Sequence, residues 1–470
     1  MIRVALPRGE LREPLAERLS AVGFAVRGYG EGSRSYRFSV EGRPEVMARV
    51  FADRDIAIQV ALGQYDLGIT SAVWVEELLS RYRHDSLVTL RSLDMGAERL
   101  VVAGPAGSSV ALLAKRVVRV ATRYPNLTTQ YLNRLRAPDY RVYEVWDEAE
   151  AWPPEDADVA VCLERASLAE GLATMAVVQA GSARLIGNRE ALARAGLEQA
   201  LEPLMRLPAG DAEEAVGVPR PLGDAAAGSG AAGSGAAAAE RTALRVAVPN
   251  GHAQRHAVAA LEAAGIVFDG YDEQQATRRP RSDLDGVEVK VLRPQDMPGA
   301  VALGLYDLAL TGRDWLEAHR AAFPPSPVEE LLDLGRARYR LGAVVPDDLP
   351  VETVDEAVEY WRREDPRKPI RVASEYVALA DRYARERRLG RYRVIPISGA
   401  SEGFVPDDAE ILIEGSETGV TLRANRLRMI DVIMESTTCV IGSPEAPGGR
   451  RGALRRELVE RLRAGVEASS

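Results

Sequence analysis

The sequence predicts an α/β protein made of two tandem copies of one domain type, with mixed, mostly parallel sheets. Two observations predict this class. Short strand-like runs alternate with helical patterns along both halves of the 470-residue chain. The two halves also repeat each other's motifs, at a separation far longer than the period of a solenoid.

The alternation of strands and helices is clearest in the first half. A strand-like run at 4–6 precedes an amphipathic pattern at 11–22, and another at 67–69 precedes a helical pattern at 73–79. Each half of the chain is long enough to form two lobes with a cleft between them. Ligands of α/β proteins usually bind in such clefts.

The repeat is visible as matched stretches of sequence. Residues 2–9 (IRVALPRG) return as 244–251 (LRVAVPNG), and residues 60–67 (VALGQYDL) return as 301–308 (VALGLYDL). Such matches in the same order indicate a domain duplication rather than a solenoid.

The repeat divides the chain into three segments. We predict a first copy at 1–215, a linker at 216–242 and a second copy at 243–470. The linker is rich in alanine, glycine and serine, which have little to bury. It is therefore expected to be a flexible tether.

Composition narrows the class of protein further. The net charge is −9, with both signs interspersed, which argues against a nucleic-acid or membrane-surface protein. A strand-like run follows Met1 at once, and no apolar run approaches the length of a membrane span, so we expect a cytoplasmic protein. Cys162 and Cys439 lie in apolar runs and are expected to be buried thiols in a reducing compartment.

Four histidines provide little evidence for a metal centre. His252 and His256 have the i, i+4 spacing of one helix face, but no acid or third ligand stands beside them in the sequence. The sequence therefore predicts no metal held by protein ligands.

The stretch with the most chemical information is 411–422, ILIEGSETGVTL. An apolar strand end runs into a turn in which Gly415 and Gly419 let the backbone fold tightly, so that consecutive N–H groups can face one concavity. The hydroxyls of Ser416, Thr418 and Thr421 add donors, and a helix is expected to begin there. A phosphate dianion fits this arrangement, although a plain strand-to-helix turn uses the same residue types.

An acid at the strand end extends the interpretation from phosphate to sugar phosphate. The carboxylate of Glu414 can accept hydrogen bonds from ribose hydroxyls. The run 408–427, followed by Met434, Glu435 and Ser436, closely resembles the phosphoribosyl-diphosphate (PRPP) loop of ATP phosphoribosyltransferase, the first enzyme of histidine biosynthesis. That family usually has aspartate where Glu414 stands, so the carboxylate here is one methylene longer.

The resemblance implies an activity, a fold and a set of site residues. Each copy is expected to be a two-lobed, periplasmic-binding-protein-like α/β domain. Catalytic roles are implied for Glu414, Glu417 and Arg34. PRPP-binding roles are implied for Glu414, Gly415, Ser416, Glu417, Thr418, Gly419, Val420 and Thr421. Roles in binding ATP and polyphosphate are implied for Arg8, Arg34, Arg54, Arg99, Thr122, Tyr124 and Arg293. For the arginines, a solvated surface charge is the plain alternative.

The first copy resembles the same family at 5–9, 99–105 and 120–127, but its loop has changed. Alignment on Asp156 and Asp408 puts Cys162 opposite Glu414, Leu163 opposite Gly415 and Glu164 opposite Ser416. No glycine remains for the tight turn, and Glu164 would repel a phosphate. We therefore predict that only the second copy holds PRPP, and that the fused chain is a pseudo-dimer with one composite active site.

The implied reaction is attack by N1 of ATP on C1 of PRPP, which releases pyrophosphate and gives N1-(5-phosphoribosyl)-ATP. Positioning and charge neutralisation are expected to carry catalysis, with Mg²⁺ held mainly by the substrates. A regulatory subunit similar to a histidyl-tRNA synthetase is an implied partner, and whether this chain requires it stays open. The alternatives are a non-catalytic regulatory or nucleotide- or phosphoribosyl-binding paralogue and, more remotely, a solute-binding protein.

Overall fold

The computed structural model describes residues 1–30, 36–82, 86–114, 117–146, 148–165, 171–194, 196–210, 243–274, 276–399 and 401–469. Arg34 and the predicted linker at 216–242 lie outside the described residues. The chain separates into two compact units. Unit 1 is Met1–Ala232 with Ser398–Gly403, and unit 2 is Gly233–Ile397 with Phe404–Ser470.

Unit 1 alternates strands and helices, as its sequence predicts. Its strands are β1 (Ile2–Pro7), β2 (Arg37–Val40), β3 (Arg43–Phe51), β4 (Leu67–Thr70), β5 (Leu87–Ser92), β6 (Glu98–Pro105), β7 (Val118–Thr122), β8 (Tyr140–Glu144), β9 (Val159–Leu163), β10 (Leu172–Gly181) and β11 (Arg184–Asn188). Its helices are α1 (Arg12–Ala21), α2 (Asp53–Ala61), α3 (Ala72–Arg81), α4 (Pro125–Arg134), α5 (Arg189–Leu192) and α6 (Leu197–Leu204), with 3-10 turns at Val110–Ala114 and Ala149–Ala151.

The strands of unit 1 form two sheets, one for each lobe. The first has the order β2-β3-β1-β4-β11-β5 and the second β10-β6-β9-β7-β8. Parallel pairing joins β3, β1 and β4 in the first sheet and β9, β7 and β8 in the second. The other pairs are antiparallel. Separate apolar clusters lie against the two sheets, one including Leu6, Leu15 and Ile69 and the other Leu100, Val120 and Leu127.

Unit 2 also alternates strands and helices. Its strands are β12 (Leu244–Pro249), β13 (Phe268–Tyr271), β14 (Ala276–Ser282), β15 (Val287–Leu292), β16 (Leu308–Gly312), β17 (Glu329–Pro346), β18 (Ile370–Ser374), β19 (Tyr392–Pro396), β20 (Ile411–Ser416) and β21 (Leu427–Gly442). Its helices are α7 (Gln254–Ala263), α8 (Met297–Ala302), α9 (Arg313–Ala322), α10 (Val354–Glu364), α11 (Val377–Glu386), α12 (Val420–Ala424) and α13 (Gly449–Ser469), with a 3-10 turn at Gly251–Ala253.

The strands of unit 2 form one continuous sheet in the order β13-β14-β15-β12-β16-β21-β17-β20-β18-β19. The 18-residue β17 and the 16-residue β21 pair antiparallel along most of their length and so run through both lobes. Parallel triplets, β15-β12-β16 and β20-β18-β19, lie on either side of them. The predicted α/β class with mixed sheets is confirmed. Its parallel strands form triplets, and antiparallel strands complete each sheet.

The same hydrogen bonds recur at matching places in the two units. An acid directly before a strand accepts the N–H of an arginine early in a neighbouring parallel strand, over 2.8–2.9 Å. The four pairs are Asp66 with Arg3, Asp307 with Arg245, Asp158 with Arg119, and Glu410 with Arg371. A tyrosine hydroxyl also donates to a proline carbonyl, Tyr29 to Pro7 over 2.7 Å and Tyr271 to Pro249 over 2.6 Å.

Two other predictions concern burial and membranes. Cys162 and Cys439 are buried free thiols, as predicted. Burial raises the pKa of the Cys162 thiol to about 12. Among the helices in the described residues, none is long and apolar enough to cross a membrane.

Candidate functional site

The predicted loop connects β20 to α12, and its own side chains brace it. Gly419 caps α12 with a φ of 70°, in the left-handed region that favours glycine. The hydroxyl of Ser416 accepts the Gly419 N–H over 3.0 Å, and the hydroxyl of Thr418 accepts the Val420 N–H over 3.4 Å. The sequence therefore predicted the tight turn correctly. The helix after it has only five residues, so its dipole can add less than the sequence suggested.

Gly415 is required for a different reason from Gly419. A Cβ atom built on Gly415 would lie 2.6 Å from Cε2 of Tyr339, which is closer than real Cβ contacts allow. Tyr339 lies on β17, and this strand pairs with β20 with Leu341 opposite Gly415. Because a tyrosine ring is rigid, a side chain at position 415 would push the loop off the sheet.

The acids of the loop have different environments. Glu414 is half-buried at the end of β20, and its Oε1 accepts the N–H of Gly415 over 3.0 Å. Glu417 is exposed at the loop tip, as are Thr418 and Thr421. The loop thus presents hydroxyls and one carboxylate to solvent, while Glu414 lies against the strand.

A buried polar network lies in the same unit as the loop. Asp314, 1% exposed at the start of α9, accepts a hydrogen bond from the hydroxyl of Tyr376 over 2.7 Å and one from Ser436 over 2.8 Å. The Asp314 N–H donates in turn to the Ser436 hydroxyl over 3.1 Å. Burial, and then the charge of Asp314, raises the pKa of Tyr376 and of Tyr339 well above the ordinary value.

This network holds the surroundings of the loop in place. Tyr339 hydrogen-bonds with Asp314 and Ser436, and its ring packs against Gly415. The negative charge of Glu414 contributes to the raised pKa of Tyr376. Asp314 and Tyr376 were not predicted from the sequence. The signal available was an acid in the first turn of a helix that directly follows the apolar strand β16.

A second group of polar side chains adjoins the loop tip. One ligand-type atom from each of His252, His256 and Glu417 lies within 4.8 Å of the other two. Arg255 donates to Nε2 of His256 over 3.1 Å, and its Nη2 lies 2.9 Å from Nε2 of His252. Burial, then the positive charges of Arg255 and His252, lowers the pKa of His256, while Glu417 raises it. No acid stands next to His252 and His256 in the sequence, but the fold places Glu417 of the loop beside them.

The corresponding turn of the first copy has a different chemistry. Glu164, which aligns with Ser416, forms a 2.6 Å ion pair with Arg99 and accepts a hydrogen bond from Thr174 over 2.8 Å. Arg99, predicted to bind polyphosphate, is therefore partly neutralised by Glu164. Ala166 and Ser167, which align with Thr418 and Gly419, lie outside the described residues.

Two residues predicted to bind ATP have buried side chains. Thr122 is fully buried, and its hydroxyl donates to the carbonyl of Val161 over 2.9 Å and accepts the Tyr124 N–H over 2.9 Å. Tyr124 is 2% exposed, with its ring centroid 4.5 Å from that of Trp74. Burial raises the pKa of its hydroxyl. These side chains hold the turn between β7 and α4.

The remaining predicted arginines have varied surroundings. Arg8 is exposed, and its Nη2 donates to the carbonyl of Ser398 over 2.9 Å within unit 1. The guanidinium of Arg54 lies over the rings of Trp74 and Trp146, at 5.6 and 4.7 Å from the ring centroids. Arg293 lies in unit 2 between β15 and α8. Arg34 lies outside the described residues.

The matching family model and two curated relatives share one description, ATP phosphoribosyltransferase. The family model "HisG: ATP phosphoribosyltransferase" matches residues 52–207 and 293–464. An ATP phosphoribosyltransferase of Saccharolobus solfataricus is 34% identical over 203 residues, which are 43% of this chain and 64% of the relative. One of Metallosphaera sedula is 34% identical over 206 residues, 43% of this chain and 65% of the relative. The chain thus spans slightly less than two thirds of these relatives.

Solved structures give weaker likenesses. The ATP phosphoribosyl transferase (HisG:HisZ) complex from Thermotoga maritima is 20% identical, with a TM-score of 0.38, over 48% of this chain and 99% of that one. The periplasmic VFT2 domain of Bordetella pertussis BvgS is 15% identical, with a TM-score of 0.29, over 49% of this chain and 90% of that one. The family model, in contrast, covers well over half of the chain in two segments, one in each unit. The chain therefore belongs to the HisG family of ATP phosphoribosyltransferases.

Proposed function

We propose that this protein is an ATP phosphoribosyltransferase that joins N1 of ATP to C1 of PRPP, the first step of histidine biosynthesis. The observation that carries the proposal is the loop between β20 and α12, in a chain that belongs to this family. Its tight turn, its exposed hydroxyls and its strand-end acid are the groups that a ribose 5-phosphate needs.

The loop residues divide into three roles in this proposal. Ser416 and Thr418 bind the 5-phosphate through their hydroxyls and through the turn that they brace. Glu414 accepts hydrogen bonds from the ribose hydroxyls. Glu417, exposed at the loop tip, stabilises positive charge that develops on the ribose as pyrophosphate leaves.

The adenine nitrogen brings its own lone pair, so the reaction needs no strong protein base. Catalysis then depends on holding two anionic substrates in line and on neutralising the leaving group. Mg²⁺ prefers oxygen ligands and keeps several waters. The carboxylates of Glu414 and Glu417 can supply such oxygens, but the pyrophosphate of PRPP offers more, so we propose that the substrate holds most of the Mg²⁺ coordination.

We further propose that the chain arose by duplication, with copies at 1–215 and 243–470. Support comes from the recurring arginine–acid pairs and from the tyrosine–proline hydrogen bonds. A tryptophan–tyrosine contact also recurs, with ring centroids 4.5 Å apart for Trp74 and Tyr124 and 4.4 Å apart for Trp315 and Tyr376. The Arg99–Glu164 pair supports the loss of PRPP binding from the first copy, because it puts a carboxylate where a phosphate would bind.

The experiment that tests the activity is a turnover assay. Purified chain is mixed with ATP, PRPP, Mg²⁺ and pyrophosphatase, and phosphoribosyl-ATP is followed by its ultraviolet absorbance. Thr418→Ala is expected to abolish most turnover. Thr89→Ala, at an exposed position of β5, is the matched control and should leave turnover unchanged. The role predicted for Arg34 is tested by Arg34→Ala in the same assay.

The alternative is a non-catalytic paralogue that binds a nucleotide or phosphoribosyl compound, and the altered loop of the first copy favours it. If the chain alone gives no turnover, calorimetry with PRPP distinguishes the transferase from the non-catalytic paralogue. Binding that Thr418→Ala weakens, with turnover once a regulatory subunit of the histidyl-tRNA-synthetase-like type is added, would identify the transferase. Binding without such rescue would identify the paralogue. No binding of PRPP would contradict the proposed activity.

A further inference from the structure

Two histidines and one carboxylate converge at the surface of unit 2. One ring nitrogen each from His252 and His256 and one oxygen of Glu417 all lie within 4.8 Å of one another. His252 and Glu417 are exposed and His256 is half-buried, so the group is accessible to solvent.

The local fold explains why these side chains meet. His252 lies in the 3-10 turn Gly251–Ala253, which leads directly into α7, where His256 lies. Their i, i+4 spacing puts both rings on one face, with centroids 5.8 Å apart. The turn after β20 brings Glu417 to that face. The three residues therefore come from two separate segments of the chain, one after β12 and one after β20. Both strands belong to the same sheet.

Arg255 indicates what this cluster attracts. Its guanidinium approaches Nε2 of both histidines, at 3.1 and 2.9 Å. The lone pairs of two rings thus converge on one cation, with a carboxylate alongside. A divalent metal ion is a much stronger partner for such a set of lone pairs than a guanidinium, and the arginine side chain is long enough to swing away.

The ligand types select the class of ion. Two imidazoles and one carboxylate form a three-ligand set that zinc uses where further coordination positions stay open. Imidazole suits Zn²⁺, Co²⁺, Ni²⁺ and Cu²⁺, whereas Mg²⁺ prefers oxygen. Zinc ligands at about 2.0–2.2 Å from the ion lie roughly 3.4 Å apart in a tetrahedron, so small side-chain rotations at the surface complete the site.

We propose that His252, His256 and Glu417 form a binding site for one divalent ion of the zinc class. The ion ties the tip of the loop to the start of α7 and leaves coordination positions open to solvent. The two histidine ligands distinguish this site from the substrate-held Mg²⁺ of the proposed reaction, although Glu417 is common to both. Its existence does not depend on that reaction, because metal binding is measured without ATP or PRPP.

The test is a titration of the metal-free, full-length chain with Co²⁺, followed by visible absorption, and with Zn²⁺, followed by calorimetry. One equivalent is expected to bind. His256→Ala and Glu417→Gln should each weaken binding by at least about tenfold. Arg255→Ala should strengthen it, because the substitution removes a competing positive charge.

Matched controls are His319→Ala, whose ring pairs with Ser326 over 2.8 Å, and Glu467→Gln on α13. Both should bind like the unaltered chain, and circular dichroism verifies that every variant is folded. The proposal is overturned if no saturable equivalent binds, or if binding survives both His256→Ala and Glu417→Gln. It is also overturned if a control or His84→Ala removes binding, since the ion would then lie elsewhere.

Discussion

The hydroxyl of Tyr376 donates a 2.7 Å hydrogen bond to the carboxylate of Asp314, and both side chains are buried in unit 2. The other carboxylate oxygen accepts from Ser436, so the pair is part of a satisfied network rather than an isolated contact. Tyr339 joins the same network and packs against Gly415 of the loop. The position of the loop therefore depends on an acid that lies outside it.

Tyr376→Phe tests the strength of this network. Loss of the hydroxyl removes one of the hydrogen-bond donors to a buried acid, which costs about 1–3 kcal/mol. We expect denaturant unfolding to show a fall of this size in the free energy of unfolding. Tyr360→Phe, whose hydroxyl pairs with Glu364, is the matched control and should change stability little. Equal effects of the two substitutions would contradict the importance of Asp314.

Gly415→Ala tests the contact between the loop and Tyr339. The new Cβ would lie 2.6 Å from Cε2 of the tyrosine ring, so the loop must shift. We expect PRPP affinity, measured by calorimetry, to fall by about tenfold or more while the chain stays folded. Gly448→Ala is the control, because a Cβ there meets nothing within 4 Å. Unchanged affinity in Gly415→Ala would show that PRPP binding does not require this loop position.

The features that the sequence predicted well are those encoded by neighbouring residues. The tight turn at Gly419 and the alternation of strands and helices each depend on a short stretch of chain. The Asp314 network could not be predicted this way, because its partners Tyr376 and Ser436 lie 62 and 122 positions away. The same limit hid the approach of Glu417 to the histidine pair, which only the fold brings about.

The direction in which a side chain faces was the second feature that could not be predicted from the sequence. Thr122 and Tyr124 stand in a stretch that resembles the family, but sequence does not tell whether a hydroxyl faces a ligand or a neighbouring strand. The structure turns Thr122 toward Val161 and packs Tyr124 against Trp74. Both side chains therefore support the β7–α4 turn.

A third prediction distinguishes the two copies. If the first copy does not bind PRPP, Glu164→Ala should leave PRPP affinity and stoichiometry unchanged, although it removes a negative charge next to Arg99. Thr418→Ala in unit 2 should lower the affinity, because the loop then loses a hydroxyl that braces Val420. Calorimetry of both variants gives the answer. A second equivalent of PRPP bound by Glu164→Ala would show that the first copy keeps a site that its own carboxylate blocks.

The last prediction concerns pH and the half-buried Glu98 of β6. Burial raises the pKa of Glu98 from 4.5 to about 7. The hydrogen bond from Ser71 lowers this pKa, the negative charges of Asp53 and Glu10 raise it, and the positive charge of Arg123 lowers it. Because the folded-state pKa exceeds the unfolded value, the stability linked to this group is fully present below about pH 4.5 and is lost as pH rises through about 7.

Glu98→Gln should therefore stabilise the protein at pH 8, where ionising the buried acid carries a cost, and should have little effect near pH 5, where the folded protein already holds the proton. Thermal unfolding at the two pH values measures the difference. Glu198→Gln, at an exposed position of α6, is the matched control and should show no such pH dependence. A stabilisation of Glu98→Gln that is larger at pH 5 than at pH 8 would reverse the predicted sign. It would mean that Glu98 is held as a carboxylate by Ser71 and Arg123 rather than as a neutral acid by burial.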